Sequence, residues 1–177
     1  MNIRKAVIED AIGIAKVHIK AWQETYKGLI CEEYLNSISL GEKTKKWKDI
    51  IQENRKAERT LVIENELRDI VGFAFYGINN EKKYEYDGDL HAIYILKAYQ
   101  NCGCGSKIIK TAVKELVDLG CNSLMIWALK DNPYCRFYEK IGGIKVGERQ
   151  HTYGNQEVKL AGYGWKDIRS NRLFHTV

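Results

Sequence analysis

No stretch of this sequence approaches the roughly 18 uninterrupted apolar residues that a helix needs to cross a bilayer, so no membrane span is expected. The opening segment, MNIRKAVIED, places no apolar run behind its basic residues, and no secretory signal is expected either. Internal repeats, low-complexity tracts and Gly/Ser linkers are absent, which leaves a single continuous domain over 1–177 as the economical organisation. Without a signal the expected compartment is the reducing cytoplasm. There the odd set of five cysteines, Cys31, Cys102, Cys104, Cys121 and Cys135, reads as free thiols rather than disulfides. Cys102 and Cys104 form a C-x-C with no second pair and no nearby histidine, too few ligands for zinc, so no metal is expected.

What is present is ordinary globular composition, 45% hydrophobic and 29% charged over 177 residues, sufficient to bury a core. The formal net charge of +5 suits anionic ligands such as nucleotides and phosphates, and nucleic acid as well. The basic residues are dispersed, however, and the one short cluster, Lys43–Lys48 (KTKKWK), reads as a solvated helix face. No nucleic-acid partner is therefore expected.

Hydrophobic periodicity divides the chain into an α/β order. Asn2–Val7 reads as a strand. A helix opened by Glu9 and Asp10 follows, with Ile12, Ile14, Ala15, Val17, Ile19 and Trp22 on a broad buried face, running to about Tyr26 and stopping at Gly28. Shorter helices are expected at Glu32–Ser37 and Glu42–Glu53, then a hairpin of Arg59–Glu64 and Ile70–Ile78. Tyr86–Leu96 reads as a central strand covered on both faces, in which strict alternation would put Asp89, His91, Ile93 and Ile95 on one side. A helix from Gly103, a strand at Asn122–Leu129 and a helix at Asn132–Ile141 with Pro133 in its first turn come next. A closing hairpin about Tyr153-Gly154-Asn155 completes the order.

The loop Gln100-Asn101-Cys102-Gly103-Cys104-Gly105-Ser106-Lys107 carries the sharpest chemical signal. Glycines at a helix start let the backbone approach a ligand, and the unpaired N–H groups there offer partial positive charge to an anion such as pyrophosphate. A plain strand–helix turn that uses glycine for its dihedrals is the competing reading. A dinucleotide fingerprint would need a third glycine where Ile108 stands, and Walker spacing is absent.

Gln100-Asn101-Cys102-Gly103-Cys104-Gly105 resembles the Q/R-x-x-G-x-G/A element of the GCN5-related N-acetyltransferase (GNAT) family. A second segment, from Asn132 through Phe137-Tyr138-Glu139-Lys140 to Gly142, is similar to that family's asparagine and F-Y-E-K-x-G pattern. The resemblance implies one GNAT-like domain: a mixed, mostly antiparallel sheet with helices on both faces. It further implies an enzyme using acetyl-coenzyme A as cosubstrate. Gln100, Asn101 and the backbone from Cys102 to Lys107 would hold the pyrophosphate. Ile93, Tyr94 and Ile95 would lie along the pantetheine arm, with the Ile95 N–H polarising the thioester, and Asn132 would meet the pantetheine or thioester end. Tyr138 occupies the position of the general acid, against which stands a tyrosine simply packed in the core. Asp89 or His91 would serve as base, or else be a solvated carboxylate and a satisfied core histidine.

Trp22 and Tyr26 would line the acceptor pocket, unless they are core aromatics at helical spacing. The acceptor expected is the primary amine of a small molecule. A protein N-terminus or lysine, and a non-catalytic coenzyme-binding module, are the alternatives. The tail Trp165–Val177 leaves room for a homodimer.

Overall fold

The computed structural model of the chain describes residues 1–53 and 58–175. Seven strands form one sheet: β1 (Asn2–Lys5), β2 (Glu58–Glu64), β3 (Ile70–Ile78), β4 (Gly88–Ile95), β5 (Leu124–Leu129), β6 (Ile144–Tyr153) and β7 (Gln156–Trp165). Their order across the sheet is β1-β2-β3-β4-β5-β7-β6. Every neighbouring pair is antiparallel except β4 and β5. The helices are α1 (Ala11–Tyr26), α2 (Glu32–Ser37), α3 (Leu40–Glu53), α4 (Cys104–Asp118), α5 (Cys135–Lys140) and the short α6 (Arg172–His175). The last two residues of the expected tail lie outside the described residues.

Two helical layers cover the sheet. On one face α4 supplies Ile108, Ile109, Ala112, Val113 and Leu116 to a core shared with Leu61, Ile63, Leu90 and Leu124. On the other, α1 and α3 bury Ile14, Ala15, Val17 and Trp47 against Val62 and Phe73. Each fully buried apolar side chain of this size contributes on the order of 1.5–3 kcal/mol. Lys45, Lys46 and Lys48 of the basic cluster are exposed on α3, the solvated face that their spacing suggested.

Three local expectations change. Ile12 is 50% exposed, because the α1 stripe runs through Ala11, Ile14, Ala15, Ala21, Trp22 and Tyr26. The helix expected from Asn132 begins only at Cys135. The Asn132 side chain instead accepts from the Tyr134 N–H (2.9 Å), and Cys135 N–H donates to the Asn132 carbonyl (3.0 Å), winding residues 132–134 into a turn. In β4, strict alternation fails. Phe75 pairs with Ala92 while Gly77 pairs with Asp89, so Leu90 and His91 together oppose Tyr76. Past this bulge Ile93 and Ile95 join Leu90 on the α4 side, whereas Ala92 and Tyr94 pack towards α1. Asp89 and His91 remain together, with His91 Nδ1 3.3 Å from Asp89 Oδ2.

One ion cluster ties the first strand to the sheet. The Arg4 guanidinium donates to Asp10 (2.6 and 2.9 Å) and to Glu64 (2.6 and 2.9 Å), whose side chains are 9% and 10% exposed. Burial alone would raise the Asp10 carboxyl, but hydrogen bonds from Arg4 and the Val7 N–H hold it below its usual range. At Glu64 the Arg4 hydrogen bonds dominate and again lower it. Both carboxylates therefore stabilise the fold fully above the ordinary carboxylate range of about pH 4, and the contribution is lost as pH falls through their lower folded-state values. Arg4→Met is expected to cost about 2 kcal/mol at pH 7 by leaving two carboxylates unpaired, less than in a fully buried pair because solvent reaches the guanidinium. Urea midpoints should show the gap to wild type shrinking as pH is lowered towards 3; an unchanged gap would contradict this account.

Candidate active site

Parallel pairing between β4 and β5 covers only Gly88 with Leu124 and Asp89 with Met125. Beyond those pairs β4 continues to Ile95 along β3, and β5 continues to Leu129 along β7, so each keeps one bonded edge. Their facing edges part and open a cleft of about 320 Å³. The Leu96 N–H donates to the Val71 carbonyl on β3 (2.9 Å). Alternation along the strand then turns the N–H and C=O of Ile95 and Ile93 towards the cleft. The Ile95 carbonyl takes a hydrogen bond from Gln100 Nε2 (2.8 Å), and Gln100 Oε1 accepts from the Tyr134 hydroxyl (2.6 Å). Gln100 thus links the end of β4 to the turn after β5. Tyr134 had no signal in the sequence, since its partner lies 34 positions away.

The N-terminus of α4 forms one wall. Asn101 and Gly103 adopt left-handed backbone (φ 59° and 83°), which bends the chain into the helix. Lys107 N–H is the first satisfied within the helix, donating to the Gly103 carbonyl (3.0 Å), so the amides of Cys104, Gly105 and Ser106 precede the helical ladder. Gln100, Asn101, Gly103, Gly105 and Ser106 line the cleft, whereas Cys102, Cys104 and Lys107 do not. Cys104 is buried in the α4 core, and Cys102 and Lys107 are exposed. Gly105 faces Phe137 on α5, where a Cβ would sit 3.4 Å from Phe137 Cζ, at van der Waals contact.

Across the cleft, Asn132, Phe137 and Tyr138 line the α5 wall. Tyr138 is 6% exposed, with its ring 5.6 Å from that of Tyr163. Burial, reinforced by Tyr94, Cys135 and Tyr163, holds its phenol protonated far above the usual tyrosine range. At the α1 end, the hydroxyls of Tyr26 and Tyr94 lie 3.3 Å apart, and burial raises both phenols as well.

Thr25, His91 and Trp127 complete this end of the cleft. Trp22 does not reach it. That ring packs behind, edge-on to Tyr26 and Tyr153 (5.2 Å each). Thr25 and Trp127 were missed in the sequence because each sits on an element whose apolar pattern marks it only as core. Asp89 stands behind His91, whose ring lies 4.8 Å from that of Phe75.

The α1–α2 connection also meets the β6–β7 hairpin. Gln156 on β7 accepts from the Cys31 N–H (2.7 Å) and donates to the Leu29 carbonyl (3.0 Å), while the rings of Tyr34 and Tyr153 lie 5.9 Å apart. These contacts pin the α1–α2 connection to the β6–β7 hairpin. Among the described residues no helix is long and apolar enough to cross a membrane, and no group of three or more His, Cys, Asp or Glu is placed to hold a metal.

Residues 21–143 match the Acetyltransferase (GNAT) family. A Bacillus subtilis (strain 168) protein described as the uncharacterized N-acetyltransferase YuaI is 32% identical over 168 residues, spanning 95% of this chain and 94% of that protein. The fold is shared with the PaiA N-acetyltransferase of Thermoplasma acidophilum, solved in complex with coenzyme A. That structure has a TM-score of 0.74 at 22% identity, covering 93% of this chain and 98% of that one. It is shared also with a ribosomal-protein-alanine N-acetyltransferase from Brucella melitensis, with a TM-score of 0.72 at 19% identity over 93% and 99% of the two chains.

His18 stacks on Tyr94 (5.1 Å) behind the cleft and accepts a hydrogen bond from Trp47 Nε1 at its Nδ1 (3.2 Å). Burial, with Lys43 and Lys46 adding repulsion, pushes its pKa down to about 3. The folded chain therefore keeps His18 neutral, with the proton on Nε2, while the unfolded chain protonates it below about pH 6.5. Stability contributed by this residue is full above that pH and falls on acidification, by up to about 1.4 kcal/mol per pH unit, until the folded-state value is reached. NMR of the imidazole should show no titration of His18 between pH 8 and pH 4.5; a midpoint near the ordinary histidine value would refute the assignment.

Proposed function

The chain belongs to the acetyltransferase (GNAT) family, and on that premise we propose that it transfers an acetyl group from acetyl-coenzyme A directly to the primary amine of a small molecule. One observation carries the reading: the β4–β5 cleft has helix N–H donors at one end and aromatic side chains, Tyr26, Tyr94 and Trp127, at the other.

The amides of Gly105 and Ser106, with Gln100 and Asn101 beside them, hold the coenzyme pyrophosphate by hydrogen bonds and the positive end of α4. The free edge of β4 at Ile93, Tyr94 and Ile95 receives the amide-bearing pantetheine arm as an added strand would be received. Asn132 fixes that arm near the thioester. The Ile95 N–H donates to the thioester carbonyl and stabilises the negative charge that grows there as the amine attacks. Tyr138, held protonated by burial, gives its proton to the departing thiolate. The amine loses its proton to His91, which Asp89 orients through Nδ1.

The aromatic end of the cleft supports a small acceptor. Tyr26, Tyr94 and Trp127 pack there in one cluster with side chains of the α1–α2 connection and the β6–β7 hairpin, an apolar surface against which a small amine-bearing molecule can rest. Trp22 backs this surface through its contact with Tyr26.

Acetyl-coenzyme A at about 100 times its dissociation constant should stabilise the protein by roughly 2.7 kcal/mol, read as a higher melting temperature, and NAD or ATP should not. Tyr138→Phe should lower kcat by about a hundredfold or more while leaving KM for acetyl-coenzyme A within a few-fold. No stabilisation by acetyl-coenzyme A would overturn the donor assignment. A higher kcat/KM for peptides than for every small amine screened would overturn the acceptor assignment.

A further inference from the structure

Two thiols flank the first turn of α4 on the side away from the cleft, and the proposed transfer uses neither. The Sγ atoms of Cys102 and Cys104 lie 3.3 Å apart. A disulfide needs about 2.05 Å, so little more than 1 Å of closure separates the pair from a bond. We propose that Cys102 and Cys104 form a modification site, which peroxide converts to a disulfide that displaces the α4 entry loop and weakens coenzyme binding. The last consequence rests on the coenzyme reading above.

The two sulfurs differ in the way the chemistry requires. Cys102 is exposed, whereas Cys104 is 3% exposed, anchored in the α4 core with its Sγ 3.9 Å from Met1 Sδ. The hydrogen bond from Cys104, together with backbone amides at the helix start and Lys107, holds the Cys102 thiol below its usual range. Burial raises Cys104. Cys102 is thus the thiol that meets oxidant, and Cys104 the one that resolves it. The remaining cysteines offer no such pairing by position: Cys121 and Cys135 are buried, and Cys31 caps α2.

The step balances. Cys102 sulfur attacks one peroxide oxygen, the O–O bond breaks, and a sulfenic acid and one water result. Cys104 sulfur then attacks Cys102 sulfur, the S–O bond breaks, and the hydroxyl leaves with the Cys104 proton as a second water. Two thiols are oxidised by two electrons, and the peroxide is reduced.

Because Cys104 is fixed in the core, Cys102 must move. It lies between left-handed Asn101 and Gly103, and its thiol donates to the Tyr99 carbonyl (2.9 Å), a hydrogen bond that a disulfide abolishes. Gln100, Asn101 and Gly103, the neighbours dragged with it, line the cleft. By linkage, bound acetyl-coenzyme A disfavours the bridge by the same factor by which the bridge weakens binding.

The test is peroxide treatment of the full chain followed by peptide mass mapping, with acetyl-coenzyme A affinity measured before and after. The expected result is loss of two hydrogens in a 102–104 bridge and a rise of about tenfold or more in the dissociation constant, both reversed by dithiothreitol. Cys102→Ser should form no bridge and keep its own pre-treatment affinity. Cys104→Ser should retain a dimedone-reactive sulfenic acid at Cys102. A bridge that maps elsewhere, no bridge, or a bridged protein that binds as tightly as the reduced one would each overturn the proposal. If the reduced chain does not bind acetyl-coenzyme A, the coenzyme reading fails, and the mass map alone decides the thiol site.

Discussion

Hydrogen bonding between β4 and β5 stops after two residue pairs, and the cleft that forms the candidate active site is what that interruption leaves behind. A sheet that parts in its middle would ordinarily strand backbone polar groups at a cost of about 1–3 kcal/mol each. Here each strand keeps its outer partner, β3 for β4 and β7 for β5, so only the facing edges are left open. Gln100 supplies one replacement partner at the Ile95 carbonyl. The open N–H groups of β4 beside it are the ones that the proposed transfer assigns to the amide-bearing arm of the coenzyme.

The two ends of that cleft differ in electrostatic character for reasons that trace to single elements. At the α4 end the donors are main-chain amides fixed by a tight turn, so positive potential is present without a buried side-chain charge. Towards the α1 end and the α5 wall, several titratable groups are held neutral. Burial raises the phenols of Tyr26, Tyr94 and Tyr138 and lowers the imidazole of His18. A proton acceptor cannot come from that set. Asp89 and His91 lie in contact at that end of the cleft, and the proposed transfer sends the departing proton there.

Much of this was legible before the coordinates. The glycines at Gly103 and Gly105 announce a turn into a helix, and the left-handed φ at Gly103 is the conformation such a turn uses. The turns at Gly28 and Gly154 were equally plain, because a positive φ is a local demand. Other features were not. The β4 bulge moves Ile93 and Ile95 off the face of Asp89 and His91, and nothing in a period-two pattern marks where an extra residue will be absorbed. Trp22 and Trp127 look alike as aromatic core residues, yet only Trp127 reaches the cleft.

The division between the two levels follows from the range of the forces. Periodicity, capping and glycine placement act over a few residues, and by themselves they determined the element order, the helix that presents free amides and the motif that marks the family. Which strand edges face one another was decided by packing across the whole chain. Insertion of β7 between β5 and β6 gives β5 its outer partner, and Gln156 pins Leu29 and Cys31 to the β6–β7 hairpin from more than a hundred positions away. The chemistry at Tyr138 depends on both: its place in the chain is a matter of local pattern, but its protonation is set by burial that only the assembled fold provides.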